Sequence, residues 1–289
     1  MASEGWQLPA KSGPLGRIDL LDCTEVPNHQ KIPFIFCGYR PAPKGPCGLC
    51  KTIFTLHNET GNMWTHLIGV ICFLAIALQF FAEHLQAKEQ RWESEQVWVL
   101  ALILTSAFCL ACSFVYHLCK CAGRPSVYEC TLQSDYMGIV ALVVVSYFTG
   151  VALGYRCFPS LRAFYLVYSG CVALVLAGPL LNPRLVSDLT RHFIFCVALG
   201  VLPAAHWVCI SPATDVAVVM PYLVAMFGCY GAGAWFYVYK WPERRWPGRF
   251  DIVGHSHQLW HVFVILAALS WVKGMFVLLE HFDGQCIES

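Results

Sequence analysis

The sequence predicts an all-α integral membrane protein, a bundle of seven transmembrane helices with a cytosolic N-terminus and an extracellular or lumenal C-terminus. Of its 289 residues, 57% are hydrophobic and 13% are charged, whereas soluble domains carry about 25% charged residues. The apolar residues form long runs, which is typical of membrane helices. The Lys and Arg residues gather on one side of these runs, and this asymmetry orients the bundle.

Seven apolar runs are long enough to cross about 30 Å of hydrocarbon at about 1.5 Å per residue. We expect them to cover approximately residues 62–83, 96–119, 134–154, 161–181, 192–211, 216–239 and 254–279. They define a transmembrane domain over 62–279, which lies between an N-terminal segment, 1–61, and a short tail, 280–289. Because the number of spans is odd, the two termini lie on opposite sides of the membrane.

The positive-inside rule decides which terminus is cytosolic. Most of the 19 Lys and Arg residues fall in the N-terminal segment and in the loops after the second, fourth and sixth spans. The other side holds Lys88, Arg91, Arg156 and Arg162, and Lys273 lies near the outer end of the last span. We therefore expect a cytosolic N-terminus. The net charge of only +1, with no basic face, argues against a nucleic-acid partner.

The N-terminal segment joins the first span through a stretch near residues 51–58. Its apolar residues Ile53, Phe54 and Leu56 suit a short helix on the cytosolic membrane face, and a packed loop is the alternative. Asn58 belongs to a glycosylation sequon, Asn-Glu-Thr. We expect this sequon to stay unmodified, because it lies on the cytosolic side and close to the membrane.

The 16 cysteines are too few for a small disulfide scaffold. Half of them lie in apolar runs, where Cys behaves as a small hydrophobe and the thiol stays free. Cys47 and Cys50 form a CxxC pair, and since no second pair follows at zinc-ribbon spacing, we interpret the pair as part of a reduced loop. Cys157 and Cys286 fall on the outer side. We expect two free thiols there because Cys286 lies in a short tail, and a disulfide is the alternative.

A few polar residues lie inside the spans, where ionisable groups are costly and therefore candidates for function. The second span ends at Ser113-Phe-Val-Tyr-His117, the third begins near Asp135, and the seventh begins with a segment that contains His257 and His261. These spans run in different directions, yet the topology places all these groups near the cytosolic boundary. We therefore expect them to form one site.

The spacing of the histidines indicates metal binding. His257 and His261 are four residues apart and project from one helix face, and Ser113 and His117 share a face in the same way. Together with His117 they offer three imidazoles, the ligand set of catalytic zinc sites that keep a fourth position open for water. Zn²⁺ is therefore the predicted cofactor. It would make water nucleophilic near neutral pH.

We assign catalytic roles to Asp135, which would hold the water or shuttle its proton, and to Ser113, which would orient the water or a substrate carbonyl. The expected reaction is hydrolysis of an amide or ester in a membrane lipid, since the site lies at the membrane boundary. As an alternative, Asp135 caps the first turn of the third helix. His255 lies off the face that His257 and His261 share, so it is left out of the ligand set.

Four other histidines are interpreted as interfacial or capping side chains: His66, His84, His192 and His206. The loop 242–249 is basic and aromatic. We interpret it as an interface anchor, and contact with anionic lipid is the alternative.

Five blocks of the sequence resemble one family. The blocks are GYRPAP at 38–43, HNETGNMWTHLIG at 57–69, SFVYH at 113–117, SDYMGI at 134–139 and PERRWPGRFDIVGHSHQLWH at 242–261. They are similar to the signature blocks of the progestin and adipoQ receptor (PAQR) family. The resemblance implies seven helices, an internal N-terminus and a zinc ion held by His117, His257 and His261, with Asp135 holding water and Ser113 nearby. It extends to the alkaline ceramidases, which share this pattern.

The resemblance leaves three functional classes. The first is a receptor with the intramembrane zinc site that also hydrolyses a lipid amide such as ceramide. In the second, zinc is structural and a lipid or hormone ligand shifts the helix bundle. The third is a scaffold that holds a cytosolic signalling protein, because the short chain, LPAAHW at 202–207 and HSHQLWH look most similar to the branch that retains Raf kinase at the Golgi. The expected location is the Golgi or the plasma membrane.

Overall fold

The computed structural model describes residues 19–43, 45–86, 93–182, 185–186, 188–281 and 286. Within these ranges, seven helices are long and apolar enough to cross a membrane, which confirms the predicted fold class of an integral, multi-pass membrane protein. The first eighteen residues of the predicted N-terminal segment and most of the predicted tail, 282–285 and 287–289, lie outside the described residues.

A short helix, α1 (Gly45–Lys51), and a 3-10 turn, Thr52–Phe54, precede the first span. The spans are α2 (Thr60–Gln86), α3 (Ser94–Cys119), α4 (Pro125–Gly154), α5 (Pro159–Leu181), the broken pair α6 (Leu189–Ala198) and α7 (Val201–Ile210), α8 (Ala213–Tyr239) and α9 (Ser256–His281). The stretch near 51–58, for which we expected a short helix or a packed loop, contains the last residue of α1 and the 3-10 turn. The side chains of Phe54 and Leu56 are exposed.

Local sequence explains several helix ends. Pro125 and Pro159 occupy the first turns of α4 and α5, where the missing N–H costs nothing. Glu93 starts α3 with a reciprocal capping box that it forms with Gln96. The break between α6 and α7 falls at Gly200, whose backbone lies close to the Tyr147 hydroxyl.

Helix α9 lies at the centre of the bundle. It packs most extensively on α8 and also contacts α2, α3 and α4. The main apolar core, which includes Phe73, Leu102, Leu153 and Met275, joins these helices. The first turns of α9 lie close to the start of α2 and to the C-terminal end of α3.

The third span differs from its predicted bounds, because α4 begins at Pro125 rather than near residue 134. Polar residues such as Glu129 and Gln133 fill its first turns. A prediction based on hydropathy excludes these polar residues from the membrane span, although they are compatible with an α-helix. Asp135 therefore lies well inside α4. The alternative that Asp135 caps the helix is wrong, since the free backbone N–H groups lie near Pro125.

Cys157 and Cys286 form a disulfide. The expectation of two free thiols is therefore wrong. The bridge ties the tail to the connection between α4 and α5, which brings Cys286 next to a loop far away in sequence. Cys47 and Cys50 are free and exposed, as expected, but they lie on α1 rather than in a loop.

Candidate metal centre

Three histidines from two helices come together at the end of the bundle that carries the N-terminal segment. His117 lies in the last turn of α3, and His257 and His261 lie in the first turns of α9. One ring nitrogen from each residue lies within 4.8 Å of the others. We call these three residues the histidine cluster. His117 and His261 are buried, and His257 is partly buried.

One pair of nitrogens in the cluster has the spacing of two zinc ligands. The Nε2 atoms of His117 and His257 are 3.3 Å apart. Two nitrogens bound tetrahedrally at about 2.0–2.1 Å from one zinc ion lie about 3.3 Å from each other. In the described part of the chain, no carboxylate or thiol joins this compact set. The cluster thus offers three imidazole nitrogens as donors for a metal ion.

Two of the histidines have a partner on the ring nitrogen that faces away from the cluster. The Nδ1 atom of His117 is 2.7 Å from Oε2 of Glu59, and the Nδ1 atom of His261 is 3.2 Å from the backbone oxygen of Asn62. A ring that donates its Nδ1–H directs the Nε2 lone pair to the opposite side. This is the arrangement by which proteins orient histidines that bind metals.

Glu59 is the polar residue of the site that the sequence reasoning missed. It is almost fully buried just before α2, and its carboxylate also accepts hydrogen bonds from Nζ of Lys120 at 2.6 Å and from Nδ2 of Asn62 at 2.7 Å. Burial alone would raise the pKa of Glu59, but the Lys120 ammonium and the His117 ring hold that pKa well below its usual range. The carboxylate is therefore charged. The signal that could have identified Glu59 is its position in the HNETGN block, which belongs to one of the five blocks that carry the family resemblance.

Asp135 and Ser113 lie beside the cluster. The Asp135 carboxyl group interacts with the Ser113 side chain and with the ring of His117. Ser113 is buried one turn before His117 on α3. The two predicted catalytic residues thus lie next to each other, and both lie near one of the three histidines.

Two further histidines border the site. His66 is buried and stacks on His261, with the ring centroids 3.7 Å apart. Its interpretation as an interfacial or capping side chain is therefore wrong, because stacking on the cluster accounts for its position. His255 is also buried, and its Nε2 lies 3.0 Å from the backbone oxygen of Asn58. It lies outside the compact set, as the sequence indicated.

The start of α9 is fixed by buried polar contacts. Glu243 accepts hydrogen bonds from the backbone N–H and the hydroxyl of Ser256. Gln258 donates through Nε2 to the backbone oxygens of Asn58 and Ile252. A Cβ atom on Gly61 would clash with the Gln258 side chain. A side chain at this position would therefore displace the Gln258 amide from its hydrogen bonds.

A mostly apolar, partly open cavity lies farther along the bundle between α4, α6, α7, α8 and α9. Its lining includes Val143, Ala204, Trp207, Tyr230 and Trp271. His261 and Trp271 lie on the same helix, about 15 Å apart along its axis at about 1.5 Å per residue. That distance is about half of the ~30 Å hydrocarbon thickness of a bilayer, which is the depth of one leaflet.

Comparison with known proteins gives consistent matches. The family model described as haemolysin-III related matches residues 54–272. Heptahelical transmembrane protein 1 of Arabidopsis thaliana is 32% identical over 284 residues, covering 92% of this chain and 83% of the relative. Progestin and adipoQ receptor family member 3 of Homo sapiens is 28% identical over 276 residues, covering 91% and 87%. The adiponectin receptor protein of Drosophila melanogaster is 32% identical over 253 residues, covering 85% and 56%.

Proposed function

The chain belongs to the haemolysin-III-related family, with progestin and adipoQ receptors among its relatives, and from this premise we propose that it is a zinc-dependent hydrolase of a lipid amide. The observation that carries the proposal is the histidine cluster, in which two rings are oriented from behind and Asp135 lies alongside. A bound zinc ion would polarise the scissile carbonyl and make water nucleophilic at neutral pH.

The other polar residues would handle water and protons. The Asp135 carboxylate would accept a hydrogen bond from the attacking water and take up its proton, which it would then deliver to the departing amine. The Ser113 hydroxyl, which interacts with Asp135, would hold the carboxylate in this orientation. Neither side chain belongs to the compact ligand set among the described residues. Both would therefore act without binding the metal.

The apolar cavity supports a lipid substrate. Its lining accepts a hydrocarbon chain, and its position about one leaflet depth from the histidine cluster matches the length of an acyl chain. An acyl amide would then place its polar linkage at the cluster and its tail in the cavity. A ceramide-like lipid has this chemistry.

We also propose that the histidine cluster faces the cytosol. The excess of Lys and Arg on that side supports this orientation. The disulfide between Cys157 and Cys286 lies at the opposite end of the bundle. Since disulfides persist in oxidising compartments, this end would face the lumen or the cell exterior.

The proposal can be tested with purified full-length protein, whose zinc content is measured by elemental analysis and whose turnover is measured with a long-chain ceramide. We expect about one zinc per chain. His257→Ala should lose both zinc and turnover, whereas Asp135→Asn should keep zinc and lose about 10²–10⁴-fold in rate, the usual contribution of a general base. The control is the wild-type protein after removal of its metal by a chelator.

Two results would reject hydrolysis. One is zinc-loaded wild-type protein that turns over no acyl amide faster than the metal-stripped control. The other is an Asp135→Asn variant that matches the wild-type rate. A receptor whose zinc is purely structural instead predicts saturable lipid binding that survives Asp135→Asn, with thermal stability that falls in proportion to zinc loss.

A further inference from the structure

Glu59 contacts the histidine cluster from outside the membrane-spanning helices. It ends the N-terminal segment just before α2 begins at Thr60. Only 3% of the residue is exposed, and its carboxylate accepts hydrogen bonds from three different side chains. A carboxylate buried in this way is costly unless its partners compensate for the lost water. The three contacts provide this compensation, and one of them is His117.

We propose that Glu59 is the positioning residue that orients His117 for the metal. Its Oε2 accepts the Nδ1–H of His117 at 2.7 Å. This bond fixes the tautomer, so that the Nε2 lone pair points toward His257, whose Nε2 is 3.3 Å away. The inference rests on the proposed function, because it assumes that the cluster holds zinc.

The remaining contacts of Glu59 hold the carboxylate in place. Nζ of Lys120 donates to Oε1 and Nδ2 of Asn62 donates to Oε2, so both oxygens are engaged. Lys120 lies just beyond the end of α3, and Asn62 lies in the first turn of α2. The carboxylate therefore connects the ends of two spans at the histidine.

The N-terminal segment holds His117 a second time, through its backbone. Arg40 donates from Nη2 to the backbone oxygen of His117 at 2.5 Å and from Nη1 to that of Leu118 at 3.2 Å. The side chain and the carbonyl of one histidine are thus both fixed by residues that precede the first span. It follows that Arg40 and Glu59, in the described part of the N-terminal segment, belong to the metal site.

The test is the zinc dissociation constant of the purified full chain, measured by competition with a chelator. Removing an outer partner of a metal-binding histidine typically weakens affinity by about 10–100-fold. We expect this loss for Glu59→Ala, and a smaller loss for Glu59→Gln, which keeps an acceptor but removes the charge. The matched control is Lys120→Met, which removes the ion pair but keeps the bond to His117. Because the pair is mostly buried, Lys120→Met should lower the unfolding temperature, but it should weaken zinc affinity less than Glu59→Gln does.

Thermal unfolding of the metal-free variants completes the test. If Glu59 only stabilises the fold, Glu59→Gln lowers the unfolding temperature without changing the zinc dissociation constant, and this result overturns the inference. Equal weakening by Lys120→Met and Glu59→Gln also overturns it, because the ion pair would then be the cause. Wild-type protein that binds no zinc instead overturns the proposed function. If Glu59→Ala does not fold, the zinc dissociation constant of the conservative Glu59→Gln variant tests the inference instead.

Discussion

The two halves of the helix bundle differ in the kind of side chain that they bury. At the polar end, where the N-terminal segment meets α3 and α9, buried polar side chains contact one another over short distances. Its members include Arg40, His57, Asn58, Glu59, Asn62, His66, Ser113, His117, Glu243, Asp251, His255, Ser256, Gln258 and His261. The other half contains the core of Phe73 and Leu102 and the apolar cavity, with few buried polar groups among the described residues.

The difference separates two tasks. Unpaired polar groups are expensive in a membrane, and hydrogen-bonded polar side chains hold one another in fixed positions. Apolar walls can line an open volume, since few of their groups need a hydrogen bond. In the proposed function, the polar end would hold the metal and the reacting bond, and the cavity would accept the tail. Changes at one end should therefore leave the other end intact.

The largest effect should come from Arg40→Met at the polar end. Arg40 donates to the backbone oxygens of His117 and Leu118 and to the Thr52 hydroxyl. Charged hydrogen bonds contribute about 1.5–3 kcal/mol each, so we expect a loss of about 4 kcal/mol in stability. Thermal unfolding in detergent measures it. Arg191→Met is the control, because Arg191 is largely exposed and its pair with Asp188 should matter little. Equal effects of the two substitutions would contradict this account of Arg40.

The disulfide far from the polar end should have the next largest effect. Cys157→Ser opens a bridge between residues 129 positions apart. We expect about 3 kcal/mol of destabilisation, within the usual range for such a crosslink. Zinc content should be unchanged, since the bridge and the histidine cluster lie at opposite ends. Alkylation of the denatured wild-type protein with and without reductant counts the thiols, and the same count in both conditions would show that the bridge is absent.

Partial filling of the apolar cavity should lower kcat/KM for long-chain substrates only. Ala204→Phe places a ring into the cavity. We expect kcat/KM for a long-chain acyl amide to fall about tenfold, which corresponds to about 1.4 kcal/mol. A short-chain analogue and the zinc content should be unaffected. Val167→Phe, at an exposed position on α5, is the size-matched control. An equal loss for short and long chains would show that the cavity does not hold the tail.

The smallest effect concerns pH. Burial, reinforced by the nearby Arg40 charge, lowers the pKa of His57 to about 4, and the Glu59 charge and a hydrogen bond to the Thr52 carbonyl oppose this only in part. Because the folded state disfavours the charged ring, stability is complete above the unfolded pKa of about 6.5 and falls as the pH drops from there toward 4.

We expect a loss of about 1 kcal/mol at pH 5.5 compared with pH 7.5. His57→Gln, which keeps both a donor and an acceptor, should reduce this dependence when the unfolding temperature is followed from pH 7.5 to 5. An unchanged pH profile would assign the dependence to other groups of the polar end.

The spans and the convergence of His117, His257 and His261 could be predicted, because hydropathy and helical spacing are local properties of the sequence. Glu59 could not, since its bond to His117 joins residues that only tertiary packing brings together. The start of α4 was also missed. Its polar first turns leave the apolar run but continue the helix from Pro125, and hydropathy cannot separate the two. The disulfide between Cys286 and Cys157 depends on the path of the tail in three dimensions, and this path cannot be predicted from composition.

The sequence separation within the histidine cluster has a consequence for biosynthesis. His117 and His257 are 140 residues apart, and four spans are made between them. At roughly 5–20 residues per second, a ribosome needs about 7–28 s to pass from one to the other. During this time His117 and Glu59 already sit at the membrane surface without α9. The cluster is complete only after the last helix has entered the bundle, so metal loading would report that assembly has finished.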